Sequence, residues 1–405
     1  MAITQANILD EFMRAGRLQQ AGRLAEAAAL WREITTAAPQ SPEAHANFAA
    51  VLVERGDLHT AEAEIRQALA LQPDAAWARY QLGRVLHQAR RFEAAAAAYQ
   101  SVLALDPQDT KARLALGHLH LTLGDLPRGW PLYEARCELA DQHAAPLLWP
   151  NAWRGEPLAG KRLLIWPEQG FGDQIQFARF APVLQAMGAE VTLAAPPELA
   201  ALFAGLGVRV IRQTRVPPPM ADYDHWTLPL SVPGRLGTTL ESLPQPPYLA
   251  APADRRERWA GYALPRTVGL AWRGRPSHPN DAHRSLPSPE PLLRGLEAAG
   301  ARVIDLTYPL GDFADLAAVV EQLELVVSVD TALAHLAGAL GKRSFVLLPW
   351  LRTDWRWLEG RADSPWHPSL RLFRQPRHGD WETVIGEVCA AYAAEFGIES
   401  RRAGR

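Results

Sequence analysis

The chain reads as an α-helical solenoid followed by an α/β region of two doubly wound lobes, and three observations predict this. A 34-residue period runs through the first third, where Pro39, Pro73 and Pro107 keep that step, as do Ala27, Ala61 and Ala95. From residue 162 onward, short apolar runs alternate with longer segments of helical pattern. That alternation comes in two runs separated by a looser, proline-rich stretch, which divides it into two lobes.

Within the repeat, Leu24, Leu58, Phe92 and Leu126 hold one column, and Gly22, Gly56 and Gly124 mark the turn, with Arg90 filling that slot in the third copy. Phe92, Ala95, Ala96, Tyr99, Val102 and Leu103 fall on one helix face. Each unit is therefore two helices joined at a glycine turn and closed by a proline that cannot continue the helix. Several columns keeping register over residues 8–109 resemble the tetratricopeptide repeat. A fourth copy, 110–143, keeps Gly117, Gly124 and Tyr133 but puts Pro127 and Gly129 where a helix should run, and reads as a degenerate terminal repeat closing a domain at 1–143. Solenoids of this kind present a concave groove. Asn47, Tyr80, Arg84, His87 and His118 are the candidates for facing a polypeptide there, the other reading being solvated residues on a spacer.

Residues 144–160 carry prolines and glycines without periodicity and read as a linker. The first lobe, 161–264, takes its strands from RLLIW (162–166), EVTLAA (190–195) and VRVIRQ (208–213), with helices over 174–187 and 197–205. Pro217, Pro218, Pro219, Pro244, Pro246 and Pro247 loosen its end. The second lobe, 265–397, has strands in TVGLAW (267–272), ARVIDL (301–306), LVVSV (325–329) and FVLLP (345–349). Its helices are expected over 289–299, 312–323, 331–340 and 380–396, the last packing back across the lobes. Strand carboxyl ends should line the ligand site.

Composition bounds the function. The 405 residues are 48% hydrophobic and 21% charged, as in a globular protein, and a net charge of −2 argues against nucleic acid as a partner. Cys137 and Cys389 are too few for a disulfide framework or a cysteine metal cluster. No run approaches a membrane span, and the first residues lack a secretory pattern, so a cytoplasmic location is expected. The 14 tryptophans, five of them between Trp350 and Trp381, suit either core packing or stacking on rings; Trp350, Trp355 and Trp357 carry both readings.

Two loops at strand ends carry chemistry. In Pro167-Glu168-Gln169-Gly170-Phe171-Gly172-Asp173 the glycines let backbone approach a ligand, and Asp173 sits where the next helix begins, either as its N-cap or as a base. Ile175 stands at the third glycine position, so this is no dinucleotide fingerprint. In Ser328-Val329-Asp330-Thr331-Ala332-Leu333-Ala334-His335 a buried strand runs straight into a helix whose N-terminus favours a phosphate, with Thr331 and His335 one turn apart. Asp222-Tyr223-Asp224 is read as structural rather than metal-binding, and His278, Asn280, Asp281 and His283 fit no closed zinc spacing. No metal or cofactor is expected.

The Gly-Asp of the first loop, the Asp-Thr-x-x-x-His of the second and the segments 272–287 and 354–375 together resemble glycosyltransferase family nine, the heptosyltransferases, in a repeat-bearing bacterial group. The resemblance implies a GT-B fold of two Rossmann-like lobes and an inverting, metal-independent transferase of the hexosyl or heptosyl class. Its donor would be a nucleotide-diphosphate sugar, a substrate rather than a cofactor, and its acceptor a polypeptide or glycan presented by the repeats. It implies Asp173 as catalytic base, and Asp330, Thr331, Ala332, Leu333 and His335 around the donor diphosphate. Arg284 takes the place of the family's lysine, and Gln169, Gly170, Gly172 and Trp272 lie near donor or acceptor. Ala332 replaces the usual glycine, so a heptose donor does not follow. The competing reading is a non-catalytic repeat scaffold with a degenerate transferase domain.

Overall fold

A computed structural model describes residues 3, 7–139, 149–214, 218–308 and 310–396. The chain divides into two compact units, Met1–His120 with Pro131–Glu138, and Leu121–Trp130 with Leu139–Arg405.

The repeats form helix pairs α1 (Ile8–Gln20) and α2 (Leu24–Ala37), α3 (Pro42–Glu54) and α4 (Leu58–Leu71), α5 (Ala76–Gln88) and α6 (Phe92–Leu103), then α7 (Thr110–Thr122) and α8 (Leu126–Tyr133). Alanine at the repeating columns lets helices close tightly, since Ala27, Ala61 and Ala95 are wholly buried. Ser41 caps α3, its hydroxyl accepting from Ala44 N, and Asp57 caps α4 through Thr60 N. The turn residues Gly22, Gly56 and Gly124 have φ of 71°, 77° and 78°, and Arg90 in the third copy holds 59°, a left-handed conformation that strains a residue with a Cβ.

The fourth copy does form its helix pair. Pro127 stands in the first turn of α8, where the missing N–H is not needed. A Cβ on Gly129 would lie 2.6 Å from Leu121 Cδ2, and one on Gly117 would lie 2.8 Å from Tyr133 N. The glycines are there because the two helices cross almost in backbone contact.

In the second unit the first sheet has order β3-β2-β1-β4, built from β1 (Arg162–Ile165), β2 (Glu190–Ala195), β3 (Arg209–Arg212) and β4 (His225–Thr227), all parallel. The second has order β6-β5-β7-β8-β9, from β5 (Thr267–Ala271), β6 (Arg302–Asp305), β7 (Leu325–Val329), β8 (Ser344–Leu348) and β9 (Leu370–Arg374), also parallel. Both are Rossmann-like, and helices supply the crossovers. The strand β9 is not evident in the sequence, because Arg371 interrupts its apolar run at the sheet edge.

The helix expected over 174–187 starts earlier and breaks into α9 (Phe171–Phe177) and α10 (Phe180–Ala186). At the break lies Arg179, buried, whose guanidinium donates to Gln176 O, Pro244 O and Trp366 O at 2.7–3.0 Å. A buried cation needs such acceptors, and only a broken helix offers the Gln176 carbonyl to it. There follow α11 (Pro197–Phe203), α12 (Val232–Arg235), α13 (Ala253–Arg258), α14 (Asp281–Arg284), α15 (Glu290–Ala298), α16 (Phe313–Gln322), α17 (Ala332–Ala339) and α18 (Trp381–Phe396). The buried face of α18 joins Leu292 and Leu296 of α15 in the core of the second lobe.

Residues 144–148 of the expected linker, like Pro217, lie outside the described residues. The remainder, 149–160, is packed on the first sheet: Trp153 N donates to Trp226 O at 2.8 Å, and Trp226 Nε1 to Pro150 O at 3.0 Å. Trp149 sits edge-on to Trp166 and Trp226. Trp355, Trp357 and Trp366 are buried, and Trp130 closes on Trp355 and Trp366 while its Nε1 donates to Thr238 O. Packing accounts for these rings. Among the described residues no helix is long and apolar enough to cross a membrane.

Two glycines in the repeats should respond oppositely to alanine. Gly117→Ala forces a Cβ into backbone and should cost about 1–3 kcal/mol. Gly16, inside α1 with nothing within 4 Å of its Cβ position, should gain up to about 1 kcal/mol as Ala. Urea unfolding followed by helical circular dichroism reads both, and a neutral Gly117→Ala would refute the close crossing.

Candidate functional site

Two helices meet at the carboxyl ends of the sheets. The loop after β1 reaches α9 through Gln169, which holds a left-handed φ of 58°, and Gly170, the N-cap. Asp173 is thus the third residue of α9, and its Oδ2 accepts from Gly170 N at 2.9 Å. That contact satisfies one orphan N–H of the helix start and leaves Oδ1 for other partners. From the other side β7 runs through Asp330 and Thr331 into α17, with Thr331 as N-cap and its hydroxyl 3.0 Å from Ser328 Oγ.

Gly172 is the meeting point. A Cβ there would lie 2.7 Å from His335 Cδ2 and 3.5 Å from Ala332 Cα. The sequence reading gave this glycine to close approach of a ligand; the close approach is to α17. His335 lies buried in the wall beneath it, stacked on Trp357 with centroids 5.1 Å apart, and its Nδ1 has no hydrogen-bond partner among the described residues. Burial, helped by the Arg356 charge, lowers its pKa to about 3, so the ring is neutral.

These elements wall a cleft of about 850 Å³. Gln169, Gly170, Gly172, Asp173, Arg284, Asp330, Thr331, Ala332, Leu333 and His335 all line it. Trp272 is not among its lining; the indole Nε1 faces Asp305 Oδ2 at 3.4 Å and the ring lies under Arg273. Arg284 ends α14, its Nε 3.6 Å from Asp281 Oδ1, against the bare backbone of Gly274, where a Cβ would lie 2.6 Å from Nη2. Asp281 is itself held by Ser285 Oγ at 2.9 Å. The loop 272–287 thus seats one guanidinium.

Six further charged residues line the cleft, Arg273, Arg275, Asp312, Arg352, Asp354 and Arg356, and none of them is a site candidate from sequence. Arg356 is only 4% exposed, and its Nη1 lies 2.9 Å from both Asp354 carboxylate oxygens. Its Nη2 lies 2.5 Å from Asp173 Oδ1. Burial raises the Asp173 pKa above the usual carboxyl range, with Asp354 and Glu168 adding to this and Arg356 and the Gly170 N–H opposing it. Asp330 is raised to about 6 by burial and then by Asp354, against Arg284. The available sign was in the sequence: charged residues interleaved with tryptophan in Asp354-Trp355-Arg356-Trp357.

In the first unit Asn47 is exposed, whereas Tyr80, Arg84, His87 and His118 are half-buried. Tyr80 lies near Tyr99, His87 edge-on to Phe92, and His118 against Tyr133. Asp224, of the Asp-x-Asp run, accepts from Arg162 N and pairs with its guanidinium, a structural role. His278 Nδ1 accepts from Asn280 N, and Asn280 Nδ2 donates to Arg352 O.

Residues 12–76, 47–110 and 80–143 match the tetratricopeptide repeat, and residues 298–348, spanning β6 to β8, match glycosyltransferase family 9 (heptosyltransferase). The chain is 29% identical over 321 residues to protein FlbA of Caulobacter vibrioides, covering 67% of this chain and 53% of that protein. It thus spans about half the length of this curated relative. Among solved structures, MamA from Desulfovibrio magneticus is 23% identical, with a TM-score of 0.30, covering 34% of this chain and 77% of that one. The first repeat domain of Spaghetti, bound to an HSP90 peptide, is 21% identical with a TM-score of 0.28, covering 30% and 98%. The chain therefore joins tetratricopeptide repeats to a glycosyltransferase-like α/β region.

Asp330 offers a test of the site's electrostatics. With its pKa at about 6, the folded protein keeps a proton that the unfolded chain, titrating near ~3.9, has lost. Its stabilising contribution is therefore full below the lower value and disappears as pH rises through 6. Asp330→Asn should exceed wild type in stability at pH 8 by on the order of 2 kcal/mol, and the difference should close near pH 4. Denaturant titrations across that range read it, and a variant less stable than wild type at pH 8 would contradict the assignment.

Proposed function

We propose that the chain is an inverting, metal-independent glycosyltransferase that takes its sugar from a nucleotide-diphosphate donor bound in this cleft. The observation that carries the reading is convergence: the Asp173 carboxylate, the Arg284 guanidinium and the N-terminus of α17, from separate elements, line the same cleft. Asp173 stands on α9 of the first lobe, Arg284 and the start of α17 on the second.

The chemistry follows from their types. Asp173 removes the proton from an acceptor hydroxyl, and its raised pKa makes it a stronger base than an exposed aspartate. The acceptor oxygen bonds to the anomeric carbon from the face opposite the diphosphate, while the bond from that carbon to the diphosphate oxygen breaks with its electron pair. The departing charge falls to Arg284 and to the backbone N–H groups at the start of α17, Ala332 and Leu333. Thr331 adds a hydroxyl. His335, being neutral, serves the donor as a hydrogen-bonding group and not as a cation, and Asp330 holds charge near Arg284 instead of meeting phosphate. Charge compensation by arginine and helix terminus is what frees the reaction from a divalent ion. The acceptor, a polypeptide or glycan, reaches the cleft with the repeats as its binding surface.

A panel of UDP, ADP, GDP and TDP with their sugars, read by thermal shift, finds the donor, since a ligand at 100 times its Kd adds ~2.7 kcal/mol. Arg284→Ala should then weaken nucleotide binding by ~10- to 150-fold with the fold intact, the loss of one charge-assisted contact. Unchanged titrations would place the diphosphate elsewhere.

Asp173→Asn keeps an oxygen for the Gly170 N–H but is no base. In the presence of EDTA and the donor found above, wild type should turn over, and the variant should bind nucleotide normally yet lose ~10²–10⁴-fold in kcat. Full turnover by the variant would remove Asp173 from the mechanism; turnover restored only by a divalent cation would overturn metal independence.

A further inference from the structure

The cleft contains one cation whose geometry serves the base and not the donor. Arg356 is buried between aromatic rings, its guanidinium 4.5 Å from the Trp355 centroid and 5.5 Å from that of Phe177. One nitrogen, Nη1, is committed to Asp354, which also caps the short 3-10 turn at 355–357 by accepting from Arg356 N at 2.9 Å. The other, Nη2, reaches across to Asp173 Oδ1. Together with the Gly170 N–H on Oδ2, each oxygen of Asp173 has a partner, a hydrogen bond from its own helix start and an ion pair from the opposite lobe.

We propose that Arg356 is the positioning residue of this transferase, with Asp354 anchoring one edge of its guanidinium so that the other edge orients the Asp173 carboxylate toward the acceptor hydroxyl. This rests on the base role argued above. A buried arginine spanning two carboxylates costs desolvation that a well-packed apolar side chain would avoid, so its presence is explained by what it orients. It also explains the interleaved Asp-Trp-Arg-Trp sequence: the tryptophans bury the guanidinium and stiffen it, the aspartate fixes its rotation.

The test separates orientation from packing and from the base role. The charged groups acting on Asp173 are Arg356 and Asp354 from the segment after β8 and Glu168 from the loop before α9, while neutral His335 of α17 lies against the neighbouring Gly172. With Arg356 removed, its pull on Asp173 is lost while Asp354 and Glu168 remain. Carbon-13 aspartate labelling, with the Asp173 resonance identified by its loss in Asp173→Asn, follows its titration in the unliganded protein. In Arg356→Met the Asp173 carboxyl should titrate about 1–3 pH units higher than in wild type. Arg356→Met/Asp354→Asn, which leaves no uncompensated Asp354, should show the same upward direction and guards against misfolding of the single variant. Arg356→Lys keeps the charge but cannot span two carboxylates, so Asp173 should titrate close to wild type while kcat still falls by up to ~10²-fold at unchanged KM for the donor.

An Asp173 titration unchanged in both methionine variants would overturn the proposal whatever the transfer rate. So would wild-type kcat in Arg356→Lys. Full turnover in Asp173→Asn instead sinks the base role and leaves the titration of the pair as a separate result.

Discussion

The contact on which the site depends is the one between Gly172 and α17. A hydrogen in place of a Cβ lets the first turn of α9 rest on His335 and Ala332, and no side chain would fit. That single approach brings a helix start of one sheet against a helix start of the other. Asp173 follows one residue later, so its distance from the α17 N-terminus is set by backbone geometry. His335 bears the load from below, and its burial against Trp357 keeps it uncharged. A charged ring there would stand unpaired in the wall.

Charge is the second organising constraint. Five arginines and four aspartates line the cleft among the described residues, and they are not interchangeable. Asp312 caps α16, Asp354 grips Arg356, and Asp173 is held between Gly170 N and Arg356. Among the described residues Arg284 pairs with Asp281 at the long distance of 3.6 Å, and its charge acts on Asp330. The pairing leaves its fork as the group suited to an incoming anion. Asp173 and Asp330 have raised pKa values because they are buried, with Asp354 adding to this and the arginines opposing it.

The tryptophan excess belongs to this architecture. Trp149, Trp166 and Trp226 fasten residues 149–160 to the first sheet, while Trp130, Trp355 and Trp366 form a cluster edge to edge and Trp357 backs His335. Large rigid rings fill the space around buried arginines at Arg179 and Arg356, satisfying by cation–π contact what hydrogen bonds leave over.

The sequence by itself determined the repeats, the strands β1, β2, β3, β5, β6, β7 and β8, and the two loops at strand ends, because each is a local pattern: a period of helix pairs, a short run rich in apolar residues, a glycine before an acid. It determined even the helix start at Thr331, since a buried strand running into small residues leaves little else. Tertiary structure decided what those patterns were for. Gly172 looked like a ligand contact and is a helix contact; Pro127 and Gly129 looked like breaks and are a first turn and a crossing. Arg179 carried no local signal, and the interleaving of Arg356 with tryptophan did not say what it pairs with, since their partners lie as far along the chain as Trp366 and Asp173. Pairing between residues so distant in sequence has no period to read, so only the folded chain shows which cation holds which carboxylate.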